Sequence, residues 1–501
     1  MRIAAAALLT VAVVARAQPG IRQNGVVNAA SQIPPTLDGG AIARGARLTI
    51  YGVRLAGHTR VTISAGGKAS DVRLISAAAE QIEAEMPSSA PLGAASVTVT
   101  VDSGVSAAFP IQIVAANPGL YSRNGRGWGP ARSENSVANP ARRGQRVTLY
   151  GTGFGDLKGF TLMVGGEPVR LTRAGASGEE RFEFNVPADA SEGCFVPVYV
   201  QAARASNVVT LAIGNGACRP GPVPLLDAGT TAVSLFSRTR MKNRRDNGDS
   251  MGDEAAVTFA LKDAPPVLSP LLLLPPVGTC TAYTSSMQDD AAVPASISAA
   301  LISQIENRGL DAGPQLTAAR DGQTRAVIRE NGVLGFYRAR LGQAGPAASR
   351  RAPALFLDPG EVTLTGAGGK DIGPFTLSFP APTPFEWMDR DTLTAVERNR
   401  GLTVHWSGAP GLVILVATNV DQLTTASGTC LCVARGAAGV FSVPRAMLAN
   451  LPFSRDLPGA SFDRLYLSSL AEESPTPIQA HGLDRGVALS LYTIGRSIPY
   501  R

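Results

Sequence analysis

The chain has 501 residues, 45% of them hydrophobic, with 54 glycines, 36 prolines and a formal net charge of +7. A length of this order accommodates about three domains. The abundance of turn formers and the shortage of helical periodicity argue against an all-helical or doubly wound plan and for an all-β one. The positive charge is mostly arginine dispersed along the chain, which argues against a concentrated nucleic-acid-binding face.

The N-terminus reads Met1-Arg2-Ile3, an apolar run from Ala4 to Val14, then Ala15-Arg16-Ala17 before Gln18. A basic start, a short apolar stretch and small residues before a cleavage point make a secretory signal peptide, residues 1–17. The run is too short to span a bilayer of about 30 Å as a helix, and no later segment is expected to do so. Leu271-Leu-Leu-Leu274, the most apolar stretch, is fenced by Pro270, Pro275 and Pro276 and is assigned to a core or linker.

An internal repeat fixes the next two hundred residues. Arg44-Gly-Ala-Arg-Leu-Thr-Ile-Tyr-Gly52 returns as Arg143-Gly-Gln-Arg-Val-Thr-Leu-Tyr-Gly151. Further landmarks keep the same spacing: Gly66-Gly67 with Gly165-Gly166, Met86-Pro87 with Val186-Pro187, and Gly93 with Gly193. A period near one hundred residues is that of a β-sandwich domain, and duplication of this kind is the mark of a modular architecture. Leu48 and Ile50, like Val147 and Leu149, alternate with polar neighbours as half-buried strands require. The Gly-Gly pairs signal hairpin turns. Gly52 and Gly151 mark a bulge or a close backbone approach.

The five cysteines are Cys194, Cys218, Cys280, Cys430 and Cys432. Cys194 opens the penultimate strand of the second repeat and Cys218 follows its last strand. Their midpoint, Ser206, lies in a turn predicted at residues 204–207, so a hairpin sets the two opposite each other and a disulfide is expected. Closing that loop of about 25 residues contributes on the order of 3 kcal/mol in the chain-entropy model. Cys430 and Cys432 lie two apart in a predicted strand and share a face. Either can bridge to Cys280. A metal site of the three is disfavoured, because no histidine stands at ligand spacing.

Beyond residue 223 the repeat is lost. The basic run from Arg238 to Arg245 is followed at once by Asp246, Asp249, Asp253 and Glu254, so it is read as a solvated loop with cancelling charge. The acidic turn from Asp246 to Asp253 has dense oxygen ligands but not EF-hand spacing. Strands are predicted at 255–261, 334–341, 361–365, 375–379, 402–406 and 412–417. A helix is expected from Pro294 through Ile297, Leu301 and Ile305 to Gly309, and a second short helical turn between Pro444 and Asn450. The three histidines, His58, His405 and His481, are isolated, and no nucleophile elbow, zinc motif or phosphate loop is present. Asp389 and Asp391 beside Trp387 are a weak trace of glycoside chemistry, since the fold decides whether two carboxylates face each other.

The tract from Arg143 to Phe154, the Gly-Gly hairpin, the Val-Pro before a glycine and the closing pair of strands resemble IPT/TIG-type immunoglobulin-like modules. Gly25-Val-Val-Asn-Ala-Ala30 resembles the opening of large uncharacterised secreted bacterial proteins that carry them. The resemblance covers roughly residues 24–218. The first copy departs from the pattern, with Val53-Arg54-Leu55 where the second has Thr152-Gly153-Phe154. The resemblance implies a sandwich fold, an extracellular setting, and Cys432 as the partner of Cys280; it carries over no catalytic residue.

The sequence therefore predicts an all-β protein of tandem immunoglobulin-like β-sandwiches followed by a larger β-rich domain with one or two short helices. The expected division is a signal peptide at 1–17, sandwich domains at 18–122 and 123–220, and a C-terminal domain at 221–501. The expected role is non-enzymatic: an exported protein that binds or adheres, or a structural spacer. Its expected partner is an extracellular glycan or protein, with no nucleic acid, no integral membrane segment after signal cleavage and no cofactor. The alternative is a secreted polysaccharide-active hydrolase with the C-terminal half catalytic. Candidate binding aromatics are Trp128, Phe385, Trp387 and Trp406. Disulfides are expected at Cys194, Cys218, Cys280 and Cys432, with no catalytic or metal residues.

Overall fold

The computed structural model describes residues 18–155, 159–174, 178–218, 229–244, 248–261, 274–286, 308–455, 462–471 and 475–501. The predicted signal peptide and the predicted helix at residues 294–305 lie outside them. What is described is almost entirely β.

Two sandwiches of closely matching plan come first. In the first, one sheet has the order Gly20–Asn28, Arg47–Val53, Gln81–Glu85, Arg73–Ala77. The facing sheet runs Ile42–Ala43, Phe109–Val114, Gly93–Val101, Thr59–Ala65, Lys68–Asp71, with Gly104–Val105, which has no counterpart among the described residues of the second sandwich, added beside Gly93–Val101. In the second, the orders are Gly119–Leu120, Arg146–Thr152, Glu180–Asn185, Leu171–Ala174 and Gly129–Pro130, Val209–Ile213, Gly193–Gln201, Thr161–Val164, Glu167–Val169. In both copies the short strand that opens the second sheet pairs in parallel with the last strand of its module. Each pair of sheets encloses its own core, around Leu48, Ile50 and Ile82 in one and Val147, Leu149 and Phe182 in the other.

The recurring Tyr-Gly has one physical cause in both copies. A Cβ on Gly52 would stand 2.2 Å from the carbonyl oxygen of Gly20, and one on Gly151 would stand 2.5 Å from that of Gly119. The crossing strand thus passes too close for any side chain. The apparent departure of the first copy is also conservative in space. Arg54 takes φ 57° where Gly153 takes φ 84°. Leu55 and Phe154, both fully buried, then fold back under the preceding glycine.

The C-terminal region is built on one 13-stranded sheet. Its order is Cys280–Ser286, Ala426–Arg435, Leu412–Val420, Arg464–Leu470, Arg485–Ser497, Thr230–Lys242, Ser250–Leu261, Phe336–Ala344, Gln323–Arg329, Gln315–Arg320, Glu361–Gly366, Phe375–Pro380, with Thr476–Pro477 added beside Arg485–Ser497. Its neighbours are antiparallel except at the centre, where Arg485–Ser497 and Thr230–Lys242 run parallel over twelve residue pairs. A small sheet of Glu386–Trp387, Leu402–Ser407 and Val440–Val443 covers part of one face, next to a one-turn helix, Arg445–Leu448. The two sides of strand Arg485–Ser497 enter different cores. Tyr492 and Ile494 join the cluster of Trp387, Trp406 and Leu415, whereas Leu489 and Leu491 join that of Ile414, Val416 and Leu431.

The basic run is not a solvated loop. Residues 238–242 form the end of strand Thr230–Lys242, and Arg238 is 4% exposed. Its guanidinium makes a two-pronged contact with Asp253, Nε at 2.7 Å and Nη2 at 2.8 Å. The fully buried Asp253 also accepts from the amides of Phe356 and Leu357. Asp253 and Glu254, which follow the basic run in sequence, lie on the returning strand Ser250–Leu261 of a hairpin, where Asp253 pairs directly with Arg238.

The structure contains two disulfides, Cys194–Cys218 and Cys280–Cys432. Cys280 and Cys432 are direct cross-strand neighbours, whereas Cys430 stands opposite Ala282. Register thus selects the bridging cysteine. Cys430 remains a buried thiol.

Two outcomes are expected. Gly151→Ala should lower unfolding stability by about 1–3 kcal/mol, because the added methyl meets backbone. In denaturant titrations Gly166→Ala, which meets nothing within 4 Å and carries only the strain of φ 95°, should cost less. Non-reducing peptide mapping should recover the linked pairs 194–218 and 280–432. Replacing the second pair, whose cysteines lie 152 residues apart, should cost more than replacing the first, about 5 against about 3.5 kcal/mol by loop entropy.

Candidate functional site

The two immunoglobulin-like modules are docked on the C-terminal sheet. Tyr199 and Val208 of the second belong to the same buried cluster as Trp387 and Trp406. Trp128 meets Tyr283 edge to face, with ring centroids 5.6 Å apart. Ile33 and Leu37 of the first module pack with Ala426, and Gln23 Nε2 donates to the Leu423 carbonyl at 2.7 Å. The joint between the modules is equally fixed. Asn117, 1% exposed, donates through its amide to the carbonyls of Gly39 and Ala41, both at 2.6 Å. Its backbone N–H donates to Gly153, and its carbonyl accepts from Asn28.

Where the three parts meet, a cleft of about 300 Å³ opens. The first module supplies the loop carrying Asp38, and the second supplies the turn at residues 201–205. The C-terminal region supplies Arg398, the helix that starts at Arg445, Phe453 and Arg501. Arg398 is the organising residue. Only 3% exposed, it donates from Nη1 to the Leu451 carbonyl and from Nη2 to Asp38 Oδ2 at 3.1 Å. Its backbone N–H holds the Arg501 carbonyl at 2.9 Å. Burial lowers the Arg398 pKa while Asp38 opposes the shift, and a guanidinium so placed stays charged at neutral pH. The Phe453 ring lies 3.5 Å from that guanidinium and is 52% exposed. Arg204 Nη1 donates to the Asp38 main-chain oxygen at 2.7 Å. Asp38 therefore ties both other parts to the first module. Among the described residues its side chain is the only acidic one lining the cleft.

The residues singled out from the sequence lie elsewhere. Trp128, Phe385, Trp387 and Trp406 are all 3–4% exposed and serve as packing, not as an exposed aromatic strip. Asp391 pairs with Lys242 and Arg390. Asp389 accepts from Trp387 Nε1 at 2.7 Å and meets His405 Nδ1 at 2.9 Å. His405 is thus oriented by a carboxylate on the exposed side of a strand, and Asp389 is its only side-chain partner among the described residues. A base without a nucleophile in reach does not make a catalytic dyad. The sulfurs of Cys280, Cys430 and Cys432 lie within 4.8 Å of one another. The disulfide leaves Cys430 as their one thiol, and burial raises its pKa far above the ordinary range. Asp246 lies outside the described residues. Asp249 is held by Arg240 at 2.5 Å and Arg390 at 3.0 Å, so neither it nor Asp253 is available as a cation ligand.

The cleft residues gave no signal in the sequence. Asp38, Arg204, Arg398, Phe453 and Arg501 are scattered singly over loops and the chain end, without period or motif.

No family model matches this sequence, and no curated protein does. Among solved structures the chain is similar to SGBP-B from the mixed-linkage glucan utilization locus of Bacteroides ovatus, in complex with a mixed-linkage heptasaccharide. Identity is 18% over 34% of this chain and 45% of that one, with a TM-score of 0.21; this chain thus spans less than half of that protein. An I-band fragment of titin is 9% identical over 73% of this chain and 98% of that one, with a TM-score of 0.15. The full extracellular region of plexin A4 is 16% identical over 40% and 18%, with a TM-score of 0.16. At these scores no residue role transfers. Among the described residues no helix is long and apolar enough to cross a membrane.

Asp249 yields a pH prediction. Burial alone would raise its pKa, but hydrogen bonds from Arg390 and Arg240 outweigh burial and hold the carboxyl below the usual range. The folded value lies below the unfolded one. The stabilisation is therefore complete above about pH 4 and disappears as pH falls through the lowered value. Asp249→Asn should cost about 1.5–3 kcal/mol at pH 7, and acid titration of unfolding should show the difference from wild type vanishing at low pH.

Proposed function

We propose that this chain is an extracytoplasmic, non-enzymatic binding protein. In this reading IPT/TIG-type modules at 18–122 and 123–220 and a domain at 221–501 hold a ligand together in the cleft where they meet. The observation that carries the proposal is the composition of that cleft: all three parts contribute lining residues, and hydrogen bonds from Asn117 N–H to the Gly153 carbonyl and from Arg398 to Asp38 tie the parts together. Interdomain clefts are preferred ligand sites, and preformed geometry avoids the ordering cost of binding. A spacer would need none of these contacts, since modules that only separate two ends can be joined by exposed linkers. Two disulfides support an oxidising compartment.

The hydrolase alternative has less support. Glycoside hydrolysis uses two carboxylates across the scissile bond, whereas among the described residues the cleft has one acidic side chain and Asp389 and Asp391 are engaged by other groups.

Ala203 lines the cleft from the exposed turn of the second module. Probed on glycan and matrix-protein arrays, the wild-type protein should bind at least one class. Ala203→Trp, which fills the cleft without touching a core, should weaken that binding tenfold or more at unchanged melting temperature. Binding that survives the substitution would place the ligand elsewhere and overturn the proposal.

A further inference from the structure

We infer that the cleft selects an acidic saccharide: a sugar bearing a carboxylate or a sulfate, held by arginine. The inference rests on the proposed binding role and specifies its ligand chemistry.

Among the described residues four arginines line the cleft, Arg204, Arg398, Arg445 and Arg501, against the single acidic side chain of Asp38. Asp38 is already committed to Arg398. Arg204 reaches only a main-chain carbonyl, while Arg445 and Arg501, both exposed, make no ion pair among the described residues. Several other arginines of the C-terminal region are paired with acids: Arg238 with Asp253, Arg240 with Asp249, Arg455 with Asp421. Unmatched guanidinium groups converging on one concavity attract an anion, and their planar forks fit the paired oxygens of carboxylate or sulfate.

The remaining lining fits a sugar ring. Phe453 has its guanidinium contact at 3.5 Å and is still 52% exposed, leaving aromatic surface for the C–H face of a pyranose. Ala202, Ala203 and Ala449 give low walls beside it, so a flat ring can approach. Asn399, exposed on the rim, offers an amide donor and acceptor to hydroxyl groups. A volume of about 300 Å³ is at the small end of the range for ligand sites, which suits one charged sugar at the end or middle of a chain better than a folded protein surface.

The test is calorimetric titration of the full chain with four probes: trigalacturonate, its methyl ester, a sulfated disaccharide and a glutamate-rich peptide. Trigalacturonate or the sulfated disaccharide should bind, and the arm that responds identifies the anion. Methyl esterification should weaken uronate binding at least tenfold. Arg445→Gln and Arg204→Gln, both on exposed side chains, should each weaken it about tenfold, and binding should fall with added salt as screening predicts. If ester and acid bind equally and Ala203→Trp abolishes both, the acidic selectivity is wrong and the binding role stands. If the glutamate peptide binds with the same arginine dependence and the sugars do not, the ligand class is wrong. If neither these probes nor any array ligand binds to wild type, both readings fail.

Discussion

The parallel pairing of Arg485–Ser497 with Thr230–Lys242 is the constraint on which the rest of the C-terminal region depends. It joins the first described strand of that region to the last across twelve residue pairs, so the large sheet is complete only when the whole region has been assembled. Antiparallel hairpins extend from this seam on both sides. A parallel contact of such sequence separation carries a large loop-closure cost before any reward. The cost is offset by cores on both faces of the seam, because alternate residues of Arg485–Ser497 enter different clusters.

The seam also places the cleft. After Ser497 the chain leaves the sheet, and Tyr500, fully buried, is anchored by Ser454 and by its hydroxyl bond to the Arg464 carbonyl. Arg501 is thereby held against Arg398. Arg398 in turn reaches Asp38 of the first module. Positions 38, 398 and 501 become neighbours through one chain of hydrogen bonds. The same logic fixes the modules. Asn117 and Asn28 satisfy carbonyls that the joint would otherwise bury unpaired, a costly state that leaves little freedom for hinge motion.

Local alternation was legible wherever one strand face meets a core and the other meets water. The burial patterns of Glu361–Gly366, Phe375–Pro380 and Leu402–Ser407 alternate nearly residue by residue, and all three were anticipated. Of the strands covered on both faces, Leu412–Val420 was anticipated from its apolar run, but two others were not. Arg485–Ser497 and Cys280–Ser286 are buried almost throughout, so their side chains show no period of two, which is usual for strands sandwiched between layers. The basic run at residues 238–242 misled for a related reason. Charge normally marks a solvated stretch, but an acidic residue 15 positions on lets Arg238 be buried because the hairpin brings the two together.

By itself the sequence determined the elements whose cause is local: the duplicated modules with their Tyr-Gly crossings and Gly-Gly turns, the all-β character, and the hairpin between Cys194 and Cys218. In each case the cause is steric exclusion, left-handed backbone or side-chain period, and it lies within a few residues or repeats at a fixed interval. Only the tertiary structure decided that the modules dock instead of stringing out, that register sets Cys432 and not Cys430 opposite Cys280, and that Asp38, Arg204, Arg398, Phe453 and Arg501 share one cleft. Those outcomes rest on contacts between residues far apart in the chain, 152 positions for the cysteines and 360 for Asp38 with Arg398. The geometry of such contacts is set by the completed sheet, and no periodicity in the chain encodes it.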